Sequence, residues 1–205
     1  MFDFDGLMID SETAVAACVA DALTARGVVF ALDDVAHLFG STDATEEWDR
    51  VLAPHGLSLA ELRVDVDARL RPRVEVLPLL PGVVEVLDAA ASSGWRTAIA
   101  TGTDRARLDA HLARLRLDER FDVIVTRREV ARGKPAPDIY LEAASRLGER
   151  AEACLVLEDS LPGCEAALAA GMQVIVCPSP VTAGCAFPCD VRRVASLVEV
   201  ASSLG

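Results

Sequence analysis

Two textures of apolar and polar positions divide the chain. From residue 96 onward, short apolar runs (RTAIAT, FDVIVT, ACLVLED and MQVIVC) alternate with longer stretches in which apolar residues recur at helical spacing. Runs that are apolar throughout suit strands buried on both faces, and the intervening DRARLDAHLARLRL, DIYLEAASRLG and LPGCEAALAAG suit helices with one buried face. Strands and helices in alternation predict right-handed crossovers and a parallel sheet, an α/β fold. The opening FDFDG reads as a first short strand, and PLLPGVVEVLDAAASSG as a helix with Pro81 near its first turn and Gly94 after it. VRRVASLVEVASSLG closes the chain.

Between the first strand and Pro78 the texture is helical only. IDSETAVAACVADALTARG predicts an amphipathic helix, capped by Asp10 or Ser11 and ended at Gly27. DDVAHLFG, TDATEEWDRVLAPHG and SLAELRVDVDARLRPRV follow as further helical pieces. A block of that size placed straight after a strand is expected to form a separate small helical unit.

Composition narrows the class. Against 20 basic residues stand 32 acidic ones, a net charge of −12, which argues against a nucleic-acid partner. Mean hydropathy is +0.31, but the apolar runs are short and cut by charges, so no membrane span is expected. Two acids within the first five residues do not read as a signal peptide, and a cytoplasmic location is expected. Cys18, Cys154 and Cys164 sit among Ala, Val and Leu as small hydrophobes. Cys177, Cys185 and Cys189 cluster without CxxC spacing or a nearby histidine, and are read as reduced thiols rather than a metal site. His37, His55 and His111 form no cluster and are read as structural; Trp48 and Tyr140 are read as packing residues, Trp48 with the option of facing a cleft.

Candidate chemistry collects at the carboxyl ends of the predicted strands, where a parallel sheet binds its ligands. Asp3 and Asp5 share a face of the first strand, and two such acids repel unless a cation or a proton sits between them. RTAIAT ends in Thr101 and Gly102, FDVIVT runs into the loop of Lys134, and ACLVLED ends in Glu158 and Asp159. Singly, each has an ordinary reading: a turn, a solvated lysine, a helix cap. Together they put acids, a hydroxyl and a lysine on one rim.

These residues resemble the haloacid dehalogenase-like hydrolase superfamily, in its phosphatase and beta-phosphoglucomutase-like branch. The resemblance runs through DFDGLMIDSE at 3–12, ATGT at 100–103, RGKPAPDIY at 132–140 and LEDSLPGCEAALAAG at 157–171. It implies a Rossmann-like parallel sheet core, residues 1–12 and 78–205, with a small all-helical cap, residues 13–77, inserted after the first strand. It implies Asp3 as the nucleophile that takes up the phosphoryl group and Asp5 as general acid and base. Thr101, Gly102 and Lys134 match phosphate-binding positions, and Asp3, Asp5 (through its backbone carbonyl), Glu158 and Asp159 match the positions that hold Mg2+. The implied activity is a magnesium-dependent phosphatase acting on a small phosphorylated metabolite, as a monomer.

Within that family, Asp5 argues against the dehalogenases, which lack a second aspartate there. A sugar phosphomutase places a histidine shortly after the first motif and an arginine in the cap loop; here those positions fall on Val15 and Asp43. Gly40, Ser41 and Thr42 lie where similar proteins have a substrate-facing loop. A non-catalytic relative kept for ligand binding is the alternative from another class, and an ATP-dependent kinase lacks the GxxxxGK[ST] loop. Only Met1 and Phe2 precede Asp3, so the first strand is expected to be a stub: either translation begins upstream, or the strand is short at some cost in stability. A terminal ammonium so near Asp3 is expected to add a charge beside the site.

Overall fold

The computed structural model describes residues 1–29, 31–41 and 43–204. The apolar runs become β1 (Ala98–Thr101), β2 (Val123–Thr126), β3 (Leu155–Glu158) and β4 (Gln173–Val176). β1 pairs in parallel with β2, and β3 with β4. A two-residue strand, β5 (Arg192–Arg193), adds in parallel to β4 and was not foreseen in the closing segment.

The opening segment joins the two halves of the sheet. Phe2 bridges Ile99 on one side and Leu157 on the other. Phe2 N donates to Ala98 O at 2.8 Å, Ala100 N to Phe2 O at 2.9 Å, Leu157 N to Met1 O at 2.9 Å and Asp3 N to Leu157 O at 3.1 Å. The lateral order is therefore β2, β1, the opening segment, β3, β4, β5. The strand is a stub, as expected, yet its backbone is satisfied on both sides. The Met1 amine does not approach Asp3; it donates to Leu155 O at 2.7 Å, at the amino end of β3.

Alternation along the strands sorts side chains onto two faces. Ile99, Leu157 and Ile175 join Phe2, Phe4, Leu87, Leu108 and Leu197 in one apolar cluster. It is covered by α4 (Val83–Ser92), α5 (Arg105–Leu115) and α8 (Leu197–Leu204). Ala98, Ala100, Val156, Val174 and Val176 pack on the other face with α6 (Asp138–Leu147) and α7 (Leu161–Ala169). The result is a three-layer α/β/α core. Pro81 stands beside the first turn of α4, as expected, just ahead of the Gly82 cap; Leu80 N is tied to Met8 O at 2.8 Å and the helix begins at Val83.

The cap is all helical. α1 (Ser11–Thr24) is capped by Asp10, which accepts from Thr13 N at 3.3 Å, and α3 (Leu59–Val74) by a reciprocal Ser58–Glu61 box. Val19, Leu23, Leu62, Val66 and Leu70 join the two helices in one cluster. α2 (Thr45–Leu52) lies beside them, and DDVAHL forms the tighter 3₁₀ turn Leu32–Leu38 rather than an α-helix. Among the described residues, no helix is long and apolar enough to cross a membrane.

Candidate active site

The carboxyl ends of the strands converge as the spacing predicts, on a cleft of about 250 Å³ roofed by the cap. Asp3, Asp5, Thr101, Gly102 and Lys134 line it from the core; Val15, Gly40, Ser41, Trp48 and Leu70 line it from the cap. Thr42, expected in the substrate-facing loop, lies outside the described residues. Trp48 faces the cleft, with its ring edge-on to Phe39 at 5.9 Å.

Lys134 is the buried hub. Its Nζ donates to Asp3 Oδ1 and to Glu158 Oε1, both at 2.6 Å. Glu158 is saturated: Oε1 also accepts from Tyr140 Oη at 2.6 Å, and Oε2 accepts from Asp159 N, Ser160 N and Ser160 Oγ at 3.0–3.2 Å. Tyr140 thus does more than pack, since its ring also lies 5.1 Å from the lysine Nζ. Burial opposes charge on Glu158, but Lys134 and these donors hold it below the usual carboxylate range. Gly163 lets α7 start against this carboxylate, because a Cβ there would overlap it.

Asp159 is the opposite case. Both its oxygens are buried and receive no hydrogen bond among the described residues. Burial and the neighbouring Glu158, Glu12 and Asp3 push it well above its ordinary value. Burial likewise raises Asp3 to about 7, partly offset by Lys134. Gly6, at φ +79, turns the chain where a Cβ would overlap the Asp159 carboxylate, so the glycine of DFDG is set by contact with a residue far along the chain.

Asp5 is held differently. Its Oδ1 accepts from Ser11 Oγ at 2.8 Å and its Oδ2 from Thr103 Oγ1, while Thr101 Oγ1 accepts from Thr103 N at 3.1 Å. Asp3, Glu158 and Asp159 bring carboxylate oxygens within 4.8 Å of one another; the Asp5 carboxylate is not in that group. Glu12, quoted in the first motif but given no role, is also buried in the cleft. Burial, then Asp5 and Asp3, raise it to about 8. Only its place in the first turn of α1, after a helix cap, hinted that it would turn back toward the strand end.

Four buried acids (Asp3, Glu12, Glu158 and Asp159) therefore face one buried lysine. An oxygen-only donor set with this charge excess and two unpartnered oxygens fits a hard divalent cation of the magnesium type. The cap loop closes over it through polar ties. Asp43 accepts from Gly133 N at 2.8 Å and pairs with Arg127 at 3.0 Å, and Ser41 Oγ donates to Lys134 O at 3.2 Å.

The haloacid dehalogenase-like hydrolase family model matches residues 1–171. CbbY of Rhodobacter capsulatus is 34% identical over 217 residues, covering 98% of this chain and 94% of that protein. Hexitol phosphatase B of Escherichia coli K12 is 32% identical over 184 residues, covering 88% and 83%. A crystal structure of CbbY from Rhodobacter sphaeroides in complex with xylulose-(1,5)bisphosphate superposes with a TM-score of 0.76 at 29% identity, covering 97% and 93%. The chain belongs to the haloacid dehalogenase-like hydrolases, in their phosphatase and beta-phosphoglucomutase-like branch with a helical cap.

Proposed function

We propose that this enzyme is a magnesium-dependent phosphatase that hydrolyses a small phosphorylated metabolite through an aspartyl-phosphate at Asp3. The observation that carries the reading is the pairing of Asp3, held by Lys134, with Asp159, whose two buried oxygens have no partner among the described residues. Asp3 and Asp159, with the Asp5 backbone carbonyl, would hold Mg2+, and Glu158 stands behind them as the anchor of Lys134. When bound, the ion supplies positive charge that offsets repulsion between carboxylate and phosphoryl group.

The protein's own groups divide the remaining work. An Asp3 oxygen attacks phosphorus while the bond to the leaving oxygen breaks, and Asp5 gives that oxygen a proton. A water then attacks the phosphoryl group, passes its proton to Asp5, and Asp3 departs as carboxylate with inorganic phosphate released. Ser11 and Thr103 orient Asp5 for both steps, since each holds one of its oxygens. Lys134 and Thr101 offer donors to the phosphoryl oxygens. The cap, with boundaries at 13 and 77, closes the cleft and limits water.

Relatives named for hexitol phosphates and fructose 1-phosphate support a sugar or polyol phosphate as the substrate class. The mutase reading is weaker, since Val15 lines the cleft where a histidine would be required and Asp43 is already tied to Arg127 and Gly133. The test is phosphate release from a panel of small phosphomonoesters, with and without Mg2+, for wild type and Asp3→Asn. Turnover that needs Mg2+ and vanishes in the variant is the expected result. Turnover by the variant, or none by a folded wild type, sinks the proposal.

A further inference from the structure

Leu70 of α3 and Arg107 of α5 are common to the catalytic cleft and to a larger groove of about 1050 Å³ between these two helices. The leaving group of a phosphoester seated at Asp3 can therefore extend out of the smaller cleft between one apolar side chain from the cap and one guanidinium from the core.

Of the other charges near that exit, Arg71 reaches Glu75 only at 4.0 Å and Asp67 has no ion pair among the described residues, but both line the outer groove and not the cleft; the remaining cations are engaged. Lys134 is locked between Asp3 and Glu158. Arg105 pairs with Asp109 at 2.8 Å, Asp104 with Arg128 at 3.2 Å, and Arg114 donates to Leu77 O at 2.7 Å. Among the described residues, Arg107 makes no ion pair and no side-chain hydrogen bond. The acids Asp67, Glu75 and Asp104 line the outer groove but not the cleft that Arg107 also faces. A free guanidinium at the mouth of a cleft otherwise rich in carboxylates rewards an anion on the ligand, and its planar fork suits a carboxylate or a phosphate.

We infer that Arg107 is a specificity-determining residue, and that the substrate is a small phosphomonoester carrying a second anionic group, carboxylate or phosphate, on its leaving-group side. The inference rests on the phosphatase reading and deepens it. Two matched pairs test it with Mg2+ present: glycerol 3-phosphate against 3-phosphoglycerate, and fructose 1-phosphate against fructose 1,6-bisphosphate. Wild type is expected to favour the anionic member of at least one pair, mainly through KM; the pair that responds tells carboxylate from phosphate. In Arg107→Gln the ratio of kcat/KM between anionic and neutral members should fall about tenfold or more, and Arg107→Lys should recover part of it. A wild type that prefers the neutral member of both pairs, or a preference that survives Arg107→Gln, overturns the inference. Calorimetric binding of phosphonoacetate against methylphosphonate covers the case of no turnover. A preference for phosphonoacetate that Arg107→Gln removes keeps the subsite while the phosphatase reading fails; no preference in wild type removes the subsite as well. Arg107 is exposed, and an unchanged melting temperature in the variant checks that the fold is intact.

Discussion

The core packs apolar clusters onto both faces of a parallel sheet and plants its charged groups at the strand ends, where ladder hydrogen bonds leave the backbone no freedom. The cap packs three helices around smaller clusters, and its loop meets the site through a few polar ties at Asp43 and Ser41. A group on the rigid half can hold a reacting atom in place. A group on the tethered half can admit a ligand and then shut out water, because half-exposed ion pairs cost little to open. Chemistry should therefore be lost through substitutions at the strand ends of the core, and affinity altered through substitutions in the cap and at Arg107 on the rim that faces it.

The largest expected effect is that of Asp3→Asn, which removes the nucleophile and should lower kcat by about 10³-fold or more in a phosphate-release assay. Its melting temperature should hold or rise, since one acid leaves a crowded cluster. Substantial residual activity would mean that the core does not hold the nucleophile where we place it. Next is Lys134→Met, which leaves Asp3 and Glu158 without their buried cation and should cost about 3–5 kcal/mol in denaturant unfolding. A midpoint close to wild type would show that the lysine acts on substrate alone.

Asp43→Ala releases the cap loop from Arg127 and Gly133. It should raise KM by several-fold and change stability by less than about 1 kcal/mol, because the pair is partly exposed. A collapse of kcat with KM unchanged would place the loop in the chemistry and erase the contrast between the two halves. The smallest effect belongs to His111, buried at the wall of the groove with its ring 5.5 Å from Phe4. Burial, then Arg107 and Arg114, hold its pKa below the ordinary 6.5. The unfolded chain thus takes up this proton more readily than the folded one. Stability from the neutral ring is full above the ordinary value and declines as pH falls below it. Because the raised Asp3 and Glu12 add a slope of the opposite sign, the readout is the difference between wild type and His111→Gln. Across pH 5–8 that difference in unfolding midpoint should shift in favour of wild type as pH rises, and a constant difference would exclude the residue as a source.

Much of this was legible in the chain. The stretches RTAIAT, FDVIVT, ACLVLED and MQVIVC are apolar on both faces, and their strand character follows from local composition alone. Asp3, Thr101, Lys134 and Asp159 were legible for the same reason, since a residue at the end of a recognisable strand or in the loop beyond it has a known address in a parallel sheet. The two-residue β5 was not, because a segment so short has no periodicity to read, and the helical piece expected at DDVAHLFG gave no sign that its turns would be of the tighter 3₁₀ kind.

By itself the sequence determined an α/β sheet interrupted by a helical block, and a rim of acids with one lysine, because strand alternation and helical spacing are properties of neighbouring residues. The tertiary structure alone decided that Glu12 turns into the cleft, that Tyr140 and Ser160 saturate Glu158, that both Asp159 oxygens lie buried without a partner among the described residues and that Arg107 stands at the exit. Those outcomes depend on which distant segments are pressed together and which hydrogen bonds are already taken, and no local spacing encodes either.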